Sequence, residues 1–329
     1  MRSNLPKVVH PLGGWPLLAH SLKAVVEAGC RRVVIVVGHG SEEVRQVMAP
    51  WLPSDVDVKW ALQAQQLGTG HAARMAEPLL QDFEGDLFIL PGDVPLIRPE
   101  TLRDLLQIHR HERAGVTVMS TILADGAHYG RIVRDEGGIF QRIVEARDAS
   151  PQEKTLREIN TGVFVVTAPA AFDRLRGLSQ ANAQGEYYLT DLVALARAAG
   201  DRVMAWVSAD TDALQGINDR VELAAAEARL RSRINTGWMK AGVTLVDPGN
   251  IFISPESVME TDIIIHPTAV LHGPCRVASR CEIGPGAVLE GAHLAEGVRV
   301  GAHAVVRGSV PAGTTIPPLS LWSSSALGV

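Results

Sequence analysis

The chain has 329 residues and a mass of 35.2 kDa, more than one ordinary domain of roughly 100–200 residues holds, so two domains are expected. Apolar residues make up 46% and charged residues 20%, as in a globular protein, and 31 basic against 36 acidic residues exclude a nucleic-acid binder that works by bulk positive charge. No signal core opens the chain and no apolar run near its start approaches the ~20 residues of a membrane span; Cys30, Cys275 and Cys281 make neither a disulfide framework nor a CxxC pair, so a cytoplasmic protein with reduced thiols is expected.

Residues 15–28 have helical period, with Leu18, Leu22, Val25 and Val26 on one face and Gly29 as a stop. Residues 70–80, 99–111 and 190–199 read similarly. Short β-branched or apolar runs fall at 33–37, 56–62, 87–90, 116–122 and 163–167. This alternation predicts an α/β fold, a Rossmann-like, mostly parallel sheet with helices on both faces. Residues 130–134 and 139–145 predict a hairpin turning at Asp135-Glu136-Gly137-Gly138. Residues 221–240 are expected to be a linker helix between a first domain over 1–220 and a second over 241–329. In the second domain Ile265, Leu271, Val277, Ile283 and Leu289 recur every six residues. After a one-residue slip, Leu294, Val300 and Val306 resume the period. A hexapeptide period marks a parallel β-helix whose coils bury an aliphatic column. Leu319, Leu321 and Trp322, in the tail LSLWSSSALGV, are expected to cap its end. The four repeat histidines His266, His272, His293 and His303 read as solvent-facing.

Some residues carry chemical possibilities of their own. The glycines of LGTGHA (67–72) open a helix after a strand, where backbone N–H groups can meet an anion. Asp93, in PGDVPL just past a strand, suits either Mg²⁺ or a turn. Lys7 is either a solvated charge or a partner for phosphate. Glu145 lies between Val144 and Ala146, where alternation does not force it inward.

Eight strings occur in one order across residues 5–220: LPKVVHPLGGWPL, LQAQQLGTGHA, PGDVPL, YGRIV, IVEARDA, EINTGVF, NAQGEYYLTD and GINDR. Together they resemble the sugar-1-phosphate nucleotidylyltransferases. The nearest match is the uridylyltransferase half of the bifunctional N-acetylglucosamine-1-phosphate uridylyltransferase/glucosamine-1-phosphate acetyltransferase family. The resemblance implies a transferase acting on UTP and N-acetylglucosamine-1-phosphate with Mg²⁺, followed by a short left-handed β-helix that assembles as a homotrimer. It implies phosphate contact by Lys7 and uracil recognition by Gln63, Gly68 and Thr69. Gly130, Glu145, Asn160, Thr161, Glu186 and Tyr188 would form the sugar site, and Asp93 and Asn218 would hold the metal, with Asp219 a less favoured ligand that suits a helix cap. Lys7 and Asp93 would be catalytic.

The sequence departs from that pattern in three places. The family opens with an apolar strand and a glycine-rich loop, and Met1 aligns with the last residue of that loop. A start upstream of Met1 is therefore expected, and a chain beginning at Met1 is expected to have little transferase activity. The repeat spans about eight hexapeptides and matches no acetyltransferase string, so that second activity is expected to be absent. Pro91 stands where an aromatic residue is usual, which keeps open another sugar or nucleotide; an inactive scaffolding paralogue is the remaining alternative.

Overall fold

The structure is a computed structural model that describes residues 1–324; the last part of the expected tail cap, residues 325–329, lies outside the described residues. The chain divides into two compact units. One comprises Met1–His10 and Pro16–Asp219, the other Pro11–Trp15 and Arg220–Val329.

The first unit holds strands β1 (Arg32–Val37), β2 (Asp57–Leu62), β3 (Gly85–Ile89), β4 (Val116–Ile122), β5 (Arg131–Arg134), β6 (Phe140–Val144), β7 (Glu158–Ala168) and β8 (Val203–Val207). Its helices are α1 (Leu17–Glu27), α2 (Ser41–Met48), α3 (Thr69–Arg74), α4 (Pro99–His111), α5 (Pro151–Lys154), α6 (Ala170–Arg176) and α7 (Leu192–Ala198). The elements missed by the sequence reading are α2, α5, α6 and β8. β1 and β2 pair in parallel as a separate two-stranded sheet. The other six strands form one sheet in the order β8-β4-β7-β5-β6, with β3 also on β7.

The expectation of a mostly parallel sheet needs correcting at β7. β4 and β8 run in parallel, but β7 runs antiparallel to both β3 and β4. A parallel return needs a crossover of a dozen or more residues, usually helical. Here β7 is reached through the β5–β6 hairpin and the four-residue α5, which reverses its direction. The sheet is mixed.

β7 also changes partner along its length. Its start pairs with β5 at Ile159, and Phe164–Ala168 pair with β3. The ladder with β4 is irregular between Val118 and Ser120, and Gly162 has a φ of 78°. The break lies at Thr161–Val163, directly after Asn160, which still pairs with Ser120.

Helices cover both sheet faces. Val116, Val118, Phe164 and Val166 share a core with α6 and α7 through Phe172, Leu175, Leu192 and Val193. Alternation turns Thr117 and Thr167 the other way, where both hydroxyls meet the buried His109 of α4 at 2.9 and 3.1 Å.

The second unit begins with α8 (Arg220–Lys240), whose Asn235 amide donates to the carbonyls of Pro248 and Ile251 at 2.7 and 2.9 Å. The N-terminal residues Pro11–Trp15 belong to it, and Gly13 N–H donates to Glu227 at 2.8 Å. Two- to seven-residue strands then pair in parallel with strands about eighteen residues on, three hexapeptides per step: Val270 with Val288, Ile264 with Glu282 and Val258 with Arg276. All eight periodic aliphatics are at most 3% exposed. The period extends back through Met259 and Ile253, also in that core. The slip falls between Glu290 and His293, beside Gly291 with a φ of 55°. Of the expected cap, Trp322 packs against the core, whereas Leu319 and Leu321 are 82% and 66% exposed. Leu321 sits in register with Val305, one of the residues turned away from the core, so it cannot reach the end of the column.

Candidate active site

Asp93 lies just past β3 and Gln63 directly follows β2, at the carboxyl ends of strands where open α/β sheets bind ligands. Lys7 begins a single helical turn, Lys7–Val9, and forms an ion pair with Asp93 while donating to Asn218 Oδ1 at 3.0 Å. Ile217 N–H donates to the Asp93 carbonyl at 3.0 Å and ties the two loops together. A carboxylate and an amide oxygen thus converge on one position already holding a cation, the Lys7 ammonium. That hard oxygen set fits Mg²⁺. Among the described residues no group of three or more His, Cys, Asp or Glu side chains could hold a metal. Phosphate and water would therefore complete the octahedron, as Mg²⁺ prefers.

The segment 67–70 lies along the loop 186–189. Tyr187 N–H donates to Leu67 O at 2.8 Å, Gly70 N–H to Tyr187 O at 2.8 Å, and Leu189 N–H to Thr69 Oγ1 at 3.1 Å. A Cβ on Gly68, whose φ is 109°, would lie 2.6 Å from Tyr187 O. The glycine is required by this close approach. The expectation of free N–H groups for an anion fails at Gly70, whose N–H is spent on Tyr187. Gln63 is buried, and its Nε2 contacts Gly68 O and His71 Nδ1, each at 3.0 Å. Its amide is thereby held beside the loop.

Gly130 and Asn160 meet through Asn160 N–H to Gly130 O at 2.8 Å, and a Cβ on Gly130 would stand 3.4 Å from Glu145 Oε2. Asn160 Oδ1 accepts from Gly162 N–H at 2.9 Å. Glu145 accepts from Thr190 Oγ1 at 3.0 Å. Burial pushes its carboxyl above the ordinary range against that hydrogen bond, and Asp148, Asp191 and Glu186 add like-charge repulsion. Such a lining disfavours an anion and suits a neutral ligand that donates hydroxyl or amide hydrogens. The Tyr188 hydroxyl is engaged with Asp148 at 3.1 Å and Gln184 at 2.9 Å. Glu186 is half-buried beside Tyr187. Thr161 stands apart from this group. It is buried, and its hydroxyl donates to Met119 O at 2.8 Å, so its side chain braces β7 against β4.

Printed in the sequence but not singled out there, His71, His128 and Tyr129 also enter the site. Tyr129 OH accepts from Gly216 N–H at 3.0 Å, and His128 Nε2 lies 3.3 Å from Asn218 Nδ2. The available signal was position: both directly precede Gly130.

Residues 2–242 match the nucleotidyl transferase family. The chain is 45% identical over 309 residues to the bifunctional protein GlmU of Syntrophotalea carbinolica, covering 94% of this chain and 65% of that protein. It is 41% identical over 320 residues to the protein of the same name from Brevibacillus brevis, covering 97% and 68%. The chain therefore spans about two thirds of the length of these relatives. A solved structure of UDP-glucose pyrophosphorylase complexed with UDP-glucose covers 70% of this chain and 92% of its own, with a TM-score of 0.54 at 19% identity, a likeness of fold.

Proposed function

The chain belongs to the nucleotidyl transferase family, and we propose that it makes UDP-N-acetylglucosamine and pyrophosphate from UTP and N-acetylglucosamine-1-phosphate. The observation that carries this reading is the convergence of Lys7, Asp93 and Asn218 in the same unit as a half-buried, donor-seeking Glu145. One cation with two metal-binding oxygens stands at one place and a hydroxyl acceptor at another, as a metal-bound sugar phosphate demands.

A phosphate oxygen of the sugar-1-phosphate attacks the α-phosphorus of UTP in line, forming the new P–O bond as the bond to pyrophosphate breaks. Lys7 neutralises phosphate charge and holds the reactants in line. Gln63, whose Nε2 is engaged with Gly68 O and His71 Nδ1, offers its amide oxygen to the uracil N–H, with Gly68 and Thr69 offering backbone beside it. Gly130, Glu145 and Asn160 orient the sugar, with Glu186 and Tyr188 at its border. Mg²⁺, when held by Asp93 and Asn218, supplies further charge neutralisation. No protein nucleophile is needed. The reaction is a cytoplasmic step in supplying cell-wall and peptidoglycan precursors. Among the described residues no helix is long and apolar enough to cross a membrane.

The second unit is read as a left-handed β-helix that assembles the protein as a homotrimer and carries no acetyltransferase site. Each coil turns residues outward in columns. Thr244, Ile264, Glu282, Arg299 and Thr315 make one, and Val258, Arg276, His293 and Ser309 another, both mixed in polarity. Phe252, Val270, Val288, Val305 and Leu321 make a wholly apolar one. Beside it Glu290 and Arg307 pair with each other, so no net charge opposes a second copy of this chain on the apolar column. Val288→Glu places a charge mid-column and is expected to shift the sedimentation-equilibrium mass from three chains to one; an unchanged mass rejects this face.

One observation favours a second specificity. Pro91 packs against Gly162, where a Cβ would lie 2.9 Å from Pro91 Cγ, beside Asn160. A rigid ring at that point can select a different sugar. Calorimetric binding of UDP-N-acetylglucosamine, UDP-glucose and ADP-glucose to the 329-residue chain separates the readings. The proposal expects the first to bind at least tenfold more tightly than either other, and a preference for another overturns it.

A further inference from the structure

The orientation of the Asn218 amide is set by groups on both sides of it, and we infer that His128 is the positioning residue that turns the Asn218 carbonyl oxygen toward the metal. The inference rests on the reading of Asp93 and Asn218 as the metal ligands. An asparagine tip has an oxygen and a nitrogen of nearly equal size, and only the oxygen can bind a hard cation. A tip free to turn would present the wrong atom part of the time.

The structure holds this tip from two directions. Lys7 Nζ donates to Oδ1 at 3.0 Å, and Nδ2 lies 3.3 Å from His128 Nε2. An unprotonated Nε2 accepts from the amide. With the amide reversed, its NH₂ would face the Lys7 ammonium, donor against donor, and its oxygen would face the imidazole lone pair. Lys7 fixes Oδ1, and His128, in the tautomer with an unprotonated Nε2, accepts from the amide on its other side. Asp93 and Asn218 Oδ1 would hold the metal, and His128 faces the opposite, Nδ2 side of the amide.

His128 is itself held. Its ring stacks on Tyr129, with centroids 4.5 Å apart and an interplanar angle of 26°. The Tyr129 hydroxyl accepts from Gly216 N–H at 3.0 Å, two residues before Asn218. Adjacent residues of one loop thus grip the Gly216–Asn218 segment at its backbone and at its side chain. Outer partners of this kind orient metal ligands, and their loss commonly costs 10- to 100-fold in metal affinity.

The test is an electron-paramagnetic-resonance titration of free Mn²⁺ into the full 329-residue chain with saturating UDP-N-acetylglucosamine. His128→Phe keeps a ring on Tyr129 and removes the acceptor; it is expected to raise the Mn²⁺ dissociation constant about tenfold. His128→Gln restores a carbonyl acceptor and is expected to recover most of that loss. Metal-free affinity for UDP-N-acetylglucosamine should be unchanged in both variants, which a merely structural role would not leave intact. Asn218→Ala separates the two levels. If it binds Mn²⁺ like the parent chain, or the parent binds none, the ligand assignment falls and takes the inference with it. If Asn218→Ala weakens binding but His128→Phe does not, or His128→Gln is as weak as His128→Phe, the role of His128 alone is overturned.

Discussion

Asp93→Asn is expected to lower the rate of pyrophosphate release by about a hundredfold to a thousandfold, the range seen when one preorganised electrostatic group is lost from a transition state. The change removes a negative charge and keeps the shape, so Ile217 N–H still has the Asp93 main-chain carbonyl to bond. What is lost is the anionic oxygen that faces the cation. Lys7 then faces only neutral amide oxygens, that of Asn218 and that of the substituted side chain. Stability should change little, because the Lys7 side chain is 37% exposed and an ion pair so open to water contributes at most about 1 kcal/mol. Parallel initial-rate and thermal-melting measurements check both halves. A variant with near-parental rate would remove Asp93 from the reaction, and one that melts far below the parent would make it a structural residue.

Gly68→Ala is expected to weaken uridine-nucleotide binding by thirtyfold or more, a loss of about 2 kcal/mol. Two independent costs fall on this position. The backbone has a φ of 109°, which an L side chain rarely adopts, and the new Cβ would meet Tyr187 O at 2.6 Å. The loop 67–70 can relieve the clash only by leaving 186–189, which breaks the bonds of Leu67 and Gly70 to Tyr187 and of Thr69 to Leu189. Gln63 loses its Gly68 contact in the same movement. Titration calorimetry with UTP reads the effect, and Gly185→Ala is the control. Gly185 also has a positive φ but open space around its Cβ. Equal losses in the two variants would trace the effect to backbone strain alone.

Local patterns in the chain revealed most of the elements. α4 and β4 match the predicted residues at both ends because Pro99 fixes a helix start and the run 116–122 is uninterrupted. The hexapeptide column was legible because each aliphatic faces the same interior at the same interval. Direction was not legible. Nothing in the residues 158–168 says that β7 runs against its neighbours; that follows from the short return after the hairpin. Nor did composition reveal that Pro11–Trp15 join α8, since that pairing spans more than 200 residues of sequence.

The candidate site divides the same way. Lys7, Asp93 and Asn218 stood in separate strings, and resemblance grouped them before geometry did. Thr161 shows the limit of that grouping, because its hydroxyl is committed to Met119 O. His128 went unremarked because its meaning lies in Asn218, 90 residues away.

Pyrophosphate release over a panel of nucleoside triphosphates and sugar-1-phosphates with Mg²⁺, run on the 329-residue chain and on one extended through the upstream reading frame, tests the proposed activity. Release with UTP and N-acetylglucosamine-1-phosphate is expected to be at least tenfold faster than with any other pair. No release from either protein with that pair, or a faster rate with a different nucleotide or sugar, would contradict it.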